Sequence, residues 1–160
     1  MELLNLPIVK KVIYMNITLR PAVENDFPAI VEMFREFAHF EHLDERLTNT
    51  VERMKTETEY FNCFVAVNNE DEILGYATYF FSYFTWTGKS LYMDDLYVRE
   101  SYRGAGIGKL LINKVIEFAK TSGCHKLRWQ VSDWNATAIG FYKGLGAEID
   151  KQERNCDLDL

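Results

Sequence analysis

Hydrophobic positions change their period several times along this chain, and each change marks an element. Residues 17–21 alternate apolar and polar side chains and end at Pro21, which predicts a short strand. Over residues 24–40 the period becomes three and four: Phe27, Ile30, Val31, Phe34, Phe37 and Ala38 share one helical face, with Glu24 or Asn25 near the cap and Pro28 in the first turn. A weaker helical period at Leu47, Val51 and Met54 runs among the charges of residues 47–60 and predicts a second, mostly exposed helix. Residues 63–67, 73–83 and 91–98 are rich in β-branched and aromatic side chains, and polar turns at 68–72 and 87–89 separate them, so three antiparallel strands follow. Arg103-Gly104-Ala105-Gly106-Ile107-Gly108 then opens a helix with Leu110, Leu111, Val115, Phe118 and Ala119 at helical spacing. Residues 126–131 read as a strand, 135–145 as a helix stopped by Gly146, and the chain from Ala147 as short extended segments reaching 156–160. The order is βααβββαβαβ: an α/β (α+β) fold with a mixed, mostly antiparallel central sheet flanked by helices.

Length and composition narrow the class. A chain of 160 residues suits one core, so residues 15–160 are read as a single domain and 1–14 as an N-terminal extension. Lys10 and Lys11 stand where a signal peptide would carry small residues, and no signal is read there. With 18 basic against 24 acidic residues the net charge is −6, the wrong sign for a broad nucleic-acid-binding surface. The longest apolar stretches, such as 76–84, are far below the roughly 20 residues that span a bilayer. The three cysteines form no CxxC pair, and His39, His42 and His125 lack partners at ligand spacing. No metal is expected, and a cytoplasmic location fits the cysteine usage.

Three features carry chemistry. The alternating glycines at 104, 106 and 108 let backbone N–H groups converge at the positive end of a helix dipole, as a pyrophosphate cradle requires. Their spacing matches neither the dinucleotide fingerprint nor a Walker A loop, and Arg103 and Lys109 flank it with cations. Asp94 and Asp95 are adjacent on a predicted strand, so strict alternation lets only one of them line a given cleft. Tyr142 lies seven residues after Asn135, on the same helical face, with a phenol able to give up a proton.

The segment Tyr102-Arg103-Gly104-Ala105-Gly106-Ile107-Gly108 resembles the signature of the GCN5-related N-acetyltransferase (GNAT) family, with Arg103, Gly106 and Gly108 at the signature positions. Read with Phe81-Ser82-Tyr83, Trp86, Gly88-Lys89, Tyr92 through Val98, Trp134-Asn135 and Phe141-Tyr142-Lys143, the chain resembles the diamine (spermidine/spermine) and thialysine acetyltransferase branch over residues 17–147. That resemblance implies the GNAT fold and acetyl-CoA as co-substrate. It places Leu96, Tyr97 and Val98 along the pantetheine arm and Arg103, Gly104, Ala105, Gly106, Ile107, Gly108 and Lys109 at the pyrophosphate. It gives Asn135, Ala136, Thr137 and Ala138 the rest of the coenzyme site. Tyr142 becomes the general acid, Asp94 the residue relaying the amine's proton, and Phe40, Glu41, Trp86 and Asp94 the acceptor contacts.

The expected reaction is direct acetyl transfer to a primary amine of a small diamine, polyamine or lysine-like amino acid, in a cytoplasmic homodimer. Phe84 departs from the spermidine-acting branch, which usually has an acidic residue there, and the C-terminal segment is shorter. A protein or peptide amine as acceptor, and a non-catalytic CoA-binding sensor, stand as alternatives.

Overall fold

A computed structural model of the chain describes residues 16–151, together with 156 and 158. Strand β1 (Thr18–Pro21) leads through a 3-10 turn at Glu24–Asp26 into helix α1 (Phe27–Phe40). A second 3-10 turn at Asp44–Arg46 precedes α2 (Val51–Thr56), which is followed by β2 (Asn62–Val67), β3 (Ile73–Phe84) and β4 (Gly88–Val98). A third 3-10 turn (Glu100–Tyr102) opens the glycine loop before α3 (Ile107–Thr121), and β5 (Lys126–Arg128) and α4 (Ala136–Gly144) complete the elements. The sheet runs β1-β2-β3-β4-β5, with every neighbouring pair antiparallel except β4 and β5, which run parallel.

Two helices cover the two faces of the sheet, and alternation along β2 sorts the side chains between them. Cys63, Val65 and Val67 join Phe27, Ile30, Val31 and Met33 of α1 in one core. The intervening Phe64 turns the other way and meets Phe118 of α3 at 5.7 Å between ring centroids. Ile30, Met33, Leu111 and Ile112 are fully buried; each contributes on the order of 1.5–3 kcal/mol of transfer free energy. The entry to α1 is fixed by Asp26, which receives a bidentate guanidinium from Arg20 at 2.6 and 2.9 Å and the Val23 N–H at 2.7 Å.

The sequence expectations hold for most elements and fail at their ends. Helix α2 is less than half its expected length, because Thr50 caps it by accepting the Arg53 N–H while Leu47 is extended. Strand β5 stops at Arg128 instead of 131. No strand forms at residues 147–150, and of the expected segment at 156–160 only Cys156 and Leu158 are described, neither in a strand. The expectations for residues 1–14 lie outside the described residues. The chain falls into two compact units, Met1–Trp129 and Gln130–Leu160. The first holds the sheet with α1 to α3, and the second holds α4. Among the described residues no helix is long and apolar enough to cross a membrane.

Candidate active site

The key irregularity sits in the middle of β4. Its register with β3 runs Gly75 to Val98 and Ala77 to Leu96, then resumes at Tyr79 to Met93. Two steps on β3 therefore face three on β4, and the extra residue is a β-bulge at Asp94-Asp95 opposite Thr78. Thr78 Oγ1 accepts the Asp95 N–H at 3.0 Å, giving the displaced amide a partner. The bulge resets alternation. Tyr92 stacks on Phe80 at 5.1 Å, and Tyr97 packs on Phe37 of α1 at 5.5 Å.

The expectation that only one aspartate could line a cleft is thereby corrected. Asp94 and Asp95 both border one open cleft of about 370 Å³, walled by Phe34, Phe37 and Glu41 from the α1 side and by Thr78, Tyr79 and Phe80 from β3. The loop after α1 supplies Arg46 and Asn49, and Tyr60, Phe61 and Asn62 close another side. Burial pushes both aspartic carboxyls above the usual carboxylate range. Asp95 rises to about 7, through burial first and then the negative charges of Asp94 and Glu41. A carboxylate that titrates near neutrality, in a cleft, is a competent proton acceptor at physiological pH.

The outer edge of β4 is the second feature. Strand β5 pairs only with Ser90, Leu91 and Tyr92, so the ladder ends before the bulge. Among the described residues, Leu96, Tyr97 and Val98 therefore have β3 on one side and no strand on the other. Backbone donors and acceptors on such an edge can pair with an extended amide chain, the chemistry of a pantetheine arm.

The glycine loop follows directly. Gly104 and Gly106 adopt φ of +78° and +84°, and a Cβ at either would be strained by conformation alone, since nothing lies within 4 Å. Gly106 forms the N-terminal cap of α3, whose first paired donor is the Leu110 N–H on the Gly106 carbonyl at 3.1 Å. The N–H groups of Ile107, Gly108 and Lys109 precede it on the first turn, where helices leave donors for an anion. Arg103 is held at the rim: its Nε donates to the Val98 carbonyl at 3.0 Å, and its guanidinium lies 4.5 Å from the Phe40 ring and 5.4 Å from that of Tyr97. The residues fit a pyrophosphate-bearing coenzyme.

Other candidates are placed differently. Glu41 caps α1 and enters the cleft, whereas Phe40 lies beneath Arg103 and not on the cleft wall. Trp86 is at the β3–β4 turn, 95% exposed and outside the cleft lining. Phe84 lies under the Arg128 guanidinium at 5.4 Å. In the second unit, Asn135 Oδ1 accepts the Ala138 N–H at 3.0 Å, so its side chain caps α4 ahead of Ala136 and Thr137. Tyr142 is buried on that helix, with its ring 5.3 Å from Phe141. Sequence reasoning paired Asp95 with Asp94 but turned it away from the cleft, and it did not single out Arg46 or Thr78. For Asp95 a signal existed, since two consecutive charges inside an apolar strand mark a bulge.

With this geometry in place, comparison with known proteins is informative. The Acetyltransferase (GNAT) family model matches residues 27–147. A thialysine N-epsilon-acetyltransferase from Mus musculus is 40% identical over 141 residues, covering 81% of this chain and 83% of that protein. The Caenorhabditis elegans thialysine N-epsilon-acetyltransferase is 35% identical over 115 residues, 71% of either chain. An L-ornithine N5-acetyltransferase from Arabidopsis thaliana is 37% identical over 91 residues, covering 56% of this chain and 40% of its own. Among solved structures, a Trypanosoma brucei acetyltransferase superposes with a TM-score of 0.71 at 25% identity, over 89% of this chain and all of the other. An aminoglycoside N-acetyltransferase in complex with CoA shares the fold, with a TM-score of 0.73 at 14% identity over 91% of this chain and 97% of that one. The five-stranded mixed sheet with helices on its faces is the GNAT fold, and the chain belongs to the GCN5-related N-acetyltransferase family, as an N-acetyltransferase similar to thialysine N-epsilon-acetyltransferases and to a human spermidine/spermine N(1)-acetyltransferase-like protein.

Proposed function

We propose that the protein transfers the acetyl group of acetyl-CoA directly to a primary amine of a small acceptor bound in the acidic cleft. The observation that carries this reading is the convergence of Glu41, Asp94 and Asp95 on one cleft, with the stretch of β4 after the bulge left without a second partner strand among the described residues. Three carboxylates attract a cationic amine, and Asp95, titrating near 7, can take the proton that an alkylammonium must lose before its nitrogen becomes a nucleophile.

Leu96, Tyr97 and Val98 would hold the pantetheine arm, the loop from Arg103 to Lys109 the pyrophosphate, and Asn135 to Ala138 the remainder. Acetyl-CoA supplies the acyl group and a thiolate leaving group. As the C–N bond forms and the C–S bond breaks, one proton passes from the amine to a carboxylate of the bulge and one reaches the departing sulfur. Asp94, which the resemblance makes the relay, borders Asp95 and raises its proton affinity. Tyr142 is the proposed donor to sulfur by resemblance.

The test is release of free thiol from acetyl-CoA with thialysine, lysine, ornithine, spermidine and a lysine peptide, for the wild type and Tyr142→Phe. Amine-dependent release that the substitution slows supports the reading. Release with the peptide alone moves the acceptor to proteins, and acetyl-CoA binding without any release turns the protein into a sensor. We further propose a homodimer built on the β3–β4 hairpin, which exposes Phe81 (48%), Tyr83 (78%) and Trp86 (95%).

A further inference from the structure

The cleft is not uniformly acidic. Among its lining residues Arg46 is the sole cation, beside the carboxylates Glu41, Asp94 and Asp95. A diamine or polyamine satisfies the carboxylates and is repelled by the guanidinium. An acceptor with a terminal amine and a carboxylate satisfies both. The placement of Arg46 is built by the backbone. Beyond α1 and its cap Glu41, His42 adopts a φ of +59° that turns the chain back, and the Leu43 N–H closes on the Ala38 carbonyl at 2.9 Å.

The 3-10 turn Asp44–Arg46 then bonds the Arg46 N–H to the Leu43 carbonyl at 2.9 Å, and His39 Nδ1 lies 3.1 Å from Asp44 Oδ1, tying the turn to α1. Asp44 is engaged there and does not pair with Arg46. Among the described residues Arg46 has no ion pair, whereas Arg20, Arg35 and Arg99 are each bridged to a carboxylate. An exposed guanidinium, carried to a cleft by an ordered backbone turn and bridged to no carboxylate among the described residues, suits a planar carboxylate, which it can grip with two parallel N–H donors. Asn49, on the same loop, adds an amide to that wall.

We propose that Arg46 determines specificity by holding the carboxylate of a lysine-like amino acid while the side-chain amine is directed to Asp95, so that the acceptor is an amino acid and not its decarboxylated diamine. This rests on the acetyltransferase reading above.

The experiment compares matched pairs, L-lysine with cadaverine and L-ornithine with putrescine, on the wild type, Arg46→Gln and Arg46→Lys. The wild type should favour each amino acid over its diamine. Arg46→Gln should lower kcat/KM for the amino acids about ten- to hundred-fold, mainly through KM, and leave the diamines unchanged or improved. Arg46→Lys should restore part of the loss, and lysine methyl ester should behave on the wild type as cadaverine does. A wild type that prefers the diamines, or an Arg46→Gln loss shared equally by both members of a pair, overturns the assignment. Calorimetric binding of lysine and cadaverine to the same proteins separates the two readings. Lysine binding weakened at least ten-fold by Arg46→Gln sustains the carboxylate site even if no acetyl transfer is found, and unchanged binding overturns it.

Discussion

Asp95 is useful because its ionisation is disfavoured. Burial and the charges of Asp94 and Glu41 hold its carboxyl near 7, and the same environment makes it a stronger base than a surface aspartate. Asp95→Asn should lower kcat about 10²- to 10⁴-fold, the range for loss of a general base, with a smaller change in acetyl-CoA KM. The base acts only when ionised, so wild-type kcat/KM should fall as pH drops through about 7. In Asp94→Asn one repelling charge is gone, so Asp95 ionises more readily and that limb should move to lower pH. Steady-state kinetics across pH decides both. The stability consequence has the opposite sign. Between the ordinary carboxylate value and about 7 the folded state binds the extra proton, so stability falls as pH rises through that window. Asp95→Asn should therefore have a higher Tm than wild type at pH about 8, with the gap closing near pH 4.

The bulge that brings Asp95 to the cleft is an element-level device. Thr78→Val keeps the shape of the strand and removes the acceptor of the Asp95 N–H. It should cost about 1–2 kcal/mol by denaturant titration and lower kcat, because an unpaired amide lets the bulge relax. At the other end of β4, Gly106→Ala places a Cβ at φ +84° and strains the cap of α3 by about 1–2 kcal/mol; acetyl-CoA KM should rise more than kcat falls. These two elements also show what was legible in the sequence. Glycines 104, 106 and 108 before a helical period give away the loop, and the Phe27, Ile30, Val31, Phe34 set gives away α1, because each is a local pattern with one structural solution. The bulge depends on the pairing of β4 with β3, a nonlocal register that strict alternation along β4 cannot reveal, so Asp95 was assigned away from the cleft. Arg46 was missed for the same kind of reason. Its position depends on the left-handed turn at His42, and histidine does not advertise that conformation as glycine does.

At the scale of the molecule, the sheet carries stability and the site draws on it. Arg20 lowers the Asp26 carboxyl below its ordinary value by direct hydrogen bonding, so this pair stabilises the fold above that value and the contribution fades as pH falls. Asp26→Asn should destabilise by roughly 1.5–3 kcal/mol at pH about 7, the range for hydrogen bonds to charged groups, and by little in acid. The exposed aromatic hairpin makes its own forecast: Trp86→Ser with Tyr83→Ser should shift a sedimenting dimer to monomer. Two features adjoin along β4, the bulge that brings Asp94 and Asp95 to the cleft and the stretch from Leu96 to Val98 that follows it. The most direct test is the pH dependence of thiol release from acetyl-CoA with thialysine as acceptor, for the wild type and Asp95→Asn. The expected result is amine-dependent release whose kcat/KM has an acid limb near pH 7, separate from the amine's own limb near pH 10, and an Asp95→Asn enzyme that loses that limb with most of its rate. Absence of amine-dependent release, or an Asp95→Asn enzyme with unchanged rate and profile, would contradict it.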